Sequence, residues 1–160
     1  MSRGKSLAVL IGLASMWVAC PAPSSGPSPA PERAPTVDWA SAFRHEVSID
    51  AARGALVVSV ALAEGFHAYT VGESVGRPLE VTVDPATAVP RGPVVYPKGR
   101  TKDLPTGRSV VVEGAADIVA PLVLTATVTT VRGTLAYQVC TAESCDRPRR
   151  VPIVASRAAP

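Results

Sequence analysis

Two cysteines stand five positions apart in the stretch Tyr137 to Pro148, YQVCTAESCDRP. Cys140 and Cys145 are two of only three cysteines in 160 residues. This pair supports three chemistries: a covalent staple, a soft-metal site, or exchange of electrons with another thiol pair. A zinc site needs four ligands. Only His45 and His67 remain to supply the others, and both fall in strand-like runs where edge or surface histidines are ordinary. A copper(I) site favours sulfur ligands, but the two methionines, Met1 and Met16, both lie in the leader described below. No metal or bound cofactor is expected. As a staple the pair closes a loop of only six residues, worth about 2 kcal/mol of chain entropy, and leaves any two sheets unlinked. A local structural bridge and a redox pair both remain open at this point.

The compartment decides whether the pair oxidises. The first 19 residues place Arg3 and Lys5 before an apolar run from Leu7 to Ala19. That is the pattern of a secretory signal, too short for a membrane span, which needs about 20 apolar residues. Val18-Ala19-Cys20 resembles the lipobox of bacterial lipoproteins, with Trp17 in place of the usual Leu. The resemblance implies cleavage before Cys20 and lipidation of its thiol. The protein would then sit on the periplasmic face of a bacterial membrane without crossing it, since several acyl chains anchor stably where one does not. Cys140 and Cys145 would be the only free thiols left, and outside the cytosol such a pair is expected to join.

Residues 20–36 contain six prolines among 17 positions and little that can enter a core. They read as a disordered, semi-extended linker reaching about 50 Å. Without Arg3 and Lys5, 14 of the 16 basic side chains remain against 13 acidic ones. Near-neutral charge and the absence of a basic patch interleaved with aromatics exclude a nucleic-acid partner.

Residues 37–157 are one domain's worth of chain, and the cysteines must be positioned by strands. ALVVSVAL puts Leu56, Val58, Val60 and Leu62 on one face, and PLEVTVD repeats the alternation with Leu79, Val81 and Val83. SVVVEG, IVAPLVLTATVTTV, TLAYQVC and RRVPIVAS follow, β-branched and separated by turn residues. DAARG is expected to link the first two strands, and VRGT to close a hairpin between Val131 and Leu135. Residues 96–108, YPKGRTKDLPTGR, offer nothing to pair and read as a long loop. No stretch carries a 3.6-residue period. The fold class expected is all-β, an immunoglobulin-like two-sheet β-sandwich, with a small barrel as the alternative.

The segment LAYQVCTAESCDRPRRVPI resembles the cysteine-bearing segment of the N-terminal periplasmic domain of the thiol:disulfide interchange protein DsbD and of related disulfide bond corrector domains. Tyr137, Gln138, Cys140, Cys145, Pro148, Val151 and Pro152 carry the pattern, and EGFHAYTVGESVGRPLEVTV and VVYPKGRTKDLPTGRSVVVEG extend it across most of residues 43–155. The resemblance implies an immunoglobulin-like fold. It implies that Cys140 and Cys145 are the redox pair, relaying electrons between a thioredoxin-like redox protein and periplasmic client oxidoreductases. It also implies a cap loop over the pair. The corresponding segment here, Lys98 to Arg108, has no aromatic, so Leu104 beside Asp103 would serve, with Tyr69 and Tyr137 lining the site. Arg147, Arg149 and Arg150 would favour a thiolate, and Glu143 and Asp146 would oppose it. No Cys-x-x-Cys motif occurs, so the electrons would come from a separate donor. The rival reading is a lipid-anchored binding or structural domain with the same bridge inert.

Overall fold

The computed structural model describes residues 36–157; the expected signal, Cys20 with its expected lipidation, and nearly all of the expected linker lie outside them. The described chain is all-β, with strands β1 (Phe43–Asp50), β2 (Ala55–Leu62), β3 (His67–Tyr69), β4 (Glu80–Val83), β5 (Val89–Pro90), β6 (Arg100–Leu104), β7 (Gly107–Val112), β8 (Ala115–Val123), β9 (Thr130–Tyr137), β10 (Val139–Cys140) and β11 (Arg149–Ser156). Every ladder between them is antiparallel. They form three hydrogen-bonded sheets, ordered β1-β2-β8-β5, β10-β3-β7-β6 and β11-β9-β4.

The alternation in β2 does what it dictates. Leu56, Val58, Val60 and Leu62 are buried and join Ile118, Ala120 and Leu122 of β8, Val131 and Leu135 of β9, Val81 of β4 and Ile153 of β11 in one core. DAARG closes the β1–β2 hairpin as expected: Asp50 pairs with Ala55, the Asp50 carboxylate accepts from Arg53 N at 2.9 Å, and Gly54 turns with φ 61°.

In the second sheet β10, β3 and the end of β7 are buried on both faces. Ala68, Val112 and Val139 face the main core, while their neighbours Tyr69, Val111 and Cys140 face away into a second, smaller cluster. Period-two alternation sends adjacent residues to opposite sides, so this sheet presents Cys140 to a compartment of its own.

Two expectations need correction. Residues 96–108 are not an irregular loop: Arg100–Leu104 pairs with Gly107–Val112 as a hairpin, closed at Leu104↔Gly107, with Gly107 at φ 118°. Its β6 strand is a charged edge strand, a usual means of discouraging edge-to-edge association. It draws its order from β7 rather than from apolar residues of its own. VRGT closes no hairpin either, since Thr130–Tyr137 runs unbroken through it. Gly133 lies between Val83 and Ile153, and a Cβ there would collide with the Thr82 carbonyl oxygen. The glycine admits a close neighbouring strand. The actual break falls at residues 124–129, inside the run read as one strand, where Val128 N donates to Thr125 O at 3.2 Å.

Candidate active site

Cys140 ends the short strand β10, and the chain turns back at once. Thr141 N donates to Ser144 O at 2.8 Å and Asp146 N to Val139 O at 2.9 Å, so Cys140 and Cys145 face each other between these bonds. That is the non-hydrogen-bonded site of an antiparallel pair, where side chains approach most closely. The Thr141 hydroxyl accepts from the backbone N–H groups of Glu143 and Ser144 at 3.2 and 3.1 Å, fixing the two-residue turn. The two sulfurs are bonded, with Cα atoms 4.0 Å apart. The backbone hydrogen bonds that oppose the two cysteines do not depend on the bond between their sulfurs.

The two ends of the bond differ. Cys140 has no exposed surface, whereas Cys145 is exposed. Cys140 packs with Tyr69 and Val111, and Val75 and Leu104 close over this cluster. Gln138 ties the arrangement together: its Nε2 donates to the Asp146 carbonyl at 2.8 Å, and its Oε1 accepts from Arg77 N at 2.9 Å. Gly76, beside it, has φ 69°, and a Cβ there would meet Gln138 Oε1 at 2.8 Å and the Tyr69 ring at 2.9 Å.

The segment that follows Cys145 is rich in charge. Asp146 accepts from Arg149 Nε at 2.9 Å and Nη2 at 2.7 Å. Burial pushes the Asp146 carboxyl up, but the Arg149 hydrogen bonds and the Arg147 backbone more than reverse this and hold it below the ordinary carboxylate range. Arg147 and Arg150 are exposed on the same segment, and Arg77 and Arg150 share a surface groove with Gln138. Both signs of charge therefore lie on the segment that carries Cys145, with Arg149 paired to Asp146 and Glu143 exposed on the turn.

Cys140 and Cys145 are joined, and Tyr69 and Leu104 lie in the cluster around Cys140. Tyr137 belongs instead to the main core, stacked on Phe43 with ring centroids 4.1 Å apart, and burial raises its hydroxyl pKa. The parity of the strand explains this, because Tyr137 and Val139 share the face opposite Cys140. Asp103 is exposed at the hairpin tip, where it accepts from Arg108 Nε at 3.0 Å, outside the buried cluster. Two residues gain weight that spacing did not give them. Gln138 stands within the quoted motif, and its amide braces both sides of the site. His67 is not a surface histidine: it is 1% exposed and pairs directly with Cys140 across β3 and β10. Among the described residues no group of three or more His, Cys, Asp or Glu side chains is arranged to hold a metal ion.

A half-exposed disulfide on a hairpin, under a hydrophobic cap, agrees with what residues 33–152 match: the family model of the thiol:disulfide interchange protein DsbD, N-terminal. The chain belongs to this family. Among solved structures it is similar to the DsbD N-terminal domain of Neisseria meningitidis in its reduced form, with 21% identity and a TM-score of 0.55 over 74% of this chain and 87% of that one. It is similarly close to the DsbD N-terminal domain in the complex with the PilB N-terminal domain from the same organism, with 21% identity and a TM-score of 0.56 over 74% and 85%. At this identity the likeness supports the fold, and the immunoglobulin-like architecture expected from the strand pattern is the family's. No curated protein matches the chain.

Proposed function

We propose that this protein is an extracytoplasmic electron relay that exchanges its Cys140–Cys145 disulfide with the thiols of partner proteins. The observation that carries the reading is the asymmetry of the pair, with Cys140 fully buried and Cys145 an exposed residue, on a hairpin whose backbone sets the two cysteines opposite each other. An incoming thiolate attacks Cys145 Sγ, the bond to Cys140 breaks, and a mixed disulfide links Cys145 to the partner. A second partner thiol then resolves this link and leaves the dithiol form. Running in the other direction, Cys145 attacks a client disulfide and Cys140 resolves it. The family membership supports this chemistry, and the Neisseria complex supports protein docking at a domain of this fold.

The electron donor in this reading is a thioredoxin-like redox protein and the acceptors are periplasmic client oxidoreductases. Residues 1–19 act as the signal, lipidated Cys20 as the membrane anchor, and residues 20–36 as the linker that carries domain 37–157 away from the bilayer. The test is trapping with a thioredoxin-like protein whose own resolving cysteine has been removed and whose attacking cysteine is activated as a mixed disulfide with thionitrobenzoate, which leaves as the thiolate when a thiol attacks. Cys140→Ser should form a mixed disulfide through Cys145, and Cys145→Ser should form none. Trapping by neither variant would overturn the relay and leave the bridge inert, and equal trapping by both would overturn Cys145 as the exchanging sulfur.

A further inference from the structure

His67 is a buried titratable side chain that the exchange chemistry above leaves unused. It stands directly opposite Cys140 in the β3–β10 ladder, and both of its ring nitrogens lack a hydrogen-bond partner among the described residues. Burying two unpaired polar atoms is destabilising, so packing alone does not account for an imidazole here. The ring meets Tyr69 edge-on, with centroids 5.5 Å apart. The titratable and charged groups on its face of the sheet are Tyr69 on β3, Cys140 on β10, Arg100 and Lys102 on β6, and Glu113 just beyond β7. Lys102 and Glu113 pair with each other. Burial first, and then the Lys102 ammonium, lower the His67 pKa, with Glu113 opposing. The imidazole is therefore neutral near pH 7, with one lone pair free.

We infer that His67 is the proton acceptor for Cys140 when Cys140 resolves a mixed disulfide. A buried thiol ionises reluctantly, and Cys140 has no exposed surface on which water could take its proton. Directly opposed cross-strand residues have Cβ atoms about 4.5–5.5 Å apart, a gap that a thiol and an imidazole nitrogen close by rotation. In the step, the S–H proton of Cys140 passes to the free ring nitrogen and the Cys140 sulfur attacks Cys145 Sγ. The Cys140–Cys145 bond forms, the Cys145–partner bond breaks, and the electron pair leaves on the partner sulfur as thiolate. The imidazolium then returns its proton to that thiolate or to solvent. In the reverse direction the same proton reaches Cys140 as it leaves. The inference rests on the relay reading for its purpose, while the proton coupling itself can be read without any partner.

The experiment has two parts. In the first, the reduced protein is mixed with oxidised glutathione, quenched in acid at intervals, and the glutathione adduct at Cys145 is followed by mass spectrometry between pH 5 and 9. His67→Phe and His67→Gln should resolve the adduct at least tenfold more slowly than the unaltered protein at pH 7, with the deficit closing above the thiol's own pKa. Adduct decay in both variants at the unaltered rate and with the same pH profile would overturn the inference. In the second, which needs no variant, the His67 ring is titrated by NMR in the oxidised protein and after reduction by a phosphine. Its midpoint should differ between the two states, and an identical midpoint would overturn the inference even if both variants fail to fold. If the midpoints differ but the unaltered protein exchanges with no partner, the relay reading fails and the proton coupling stands.

Discussion

Reduction of Cys140–Cys145 should leave the fold standing. The bond closes a loop of only six residues, so its removal frees about 2 kcal/mol of chain entropy in the unfolded state. The main core, built on Leu56, Val58, Ile118, Leu122, Val131 and Leu135, contains neither cysteine. The hairpin is still held by Thr141–Ser144 and Asp146–Val139 backbone bonds and by the Gln138 amide. For a domain of roughly 120 residues, 1 kcal/mol corresponds to about 3–5 °C, so the melting temperature should fall by roughly 6–10 °C. Thermal unfolding followed by circular dichroism, with and without a phosphine reductant, reads this directly. Reduction is a cleaner perturbation than substitution, because replacing the fully buried Cys140 would also leave a cavity. Unfolding at 25 °C on reduction, or a loss of about 5 kcal/mol or more, would refute the argument and make the bridge a structural requirement.

Two further outcomes follow from the site's geometry. Gly76→Ala places a Cβ against the Tyr69 ring and Gln138 Oε1 at a backbone angle that L side chains resist by about 1–2 kcal/mol; the urea midpoint should drop and the disulfide should be reduced faster by dithiothreitol, whereas an unchanged reduction rate would show that this contact does not brace the cysteines. The neutral burial of His67 gives a signed pH dependence. Its folded pKa lies below the ordinary 6.5, so its contribution to stability is complete above about pH 6.5 and is lost as the pH falls through the folded value. Urea midpoints between pH 7.5 and 5 should show this decline, and in His67→Phe the slope should be shallower; an equal slope would remove His67 as its source.

Much of the fold was legible in the chain because alternation is a local signal. β2, β4 and β11 show it in their own residues, and the Asp50–Gly54 turn carries its chemistry with it. The Arg100–Leu104 strand was not legible, because its order comes from pairing with β7 and its charged residues suit a solvated edge. Gly133 read as a turn because sequence cannot show that β4 approaches within the space a side chain would fill. At the site, the cysteine pair could be read, but the exposure of each cysteine could not. That exposure depends on β3 and β7, which the fold brings in from far along the chain. The same distance hid His67, whose partner in the ladder is Cys140. Tyr137 could have been placed by counting, since it lies an odd number of residues from Cys140 and so faces the core.

The reduction potential of the Cys140–Cys145 pair, measured by equilibration against glutathione or dithiothreitol buffers, tests the relay most directly. Structural disulfides lie below about −300 mV and exchanging ones above it. A relay requires a value near about −230 mV, between those of thioredoxin-like donors and periplasmic acceptors. A value well below about −300 mV, with no exchange against a thioredoxin-like protein, would contradict the account and make the bridge an inert link on an immunoglobulin-like domain.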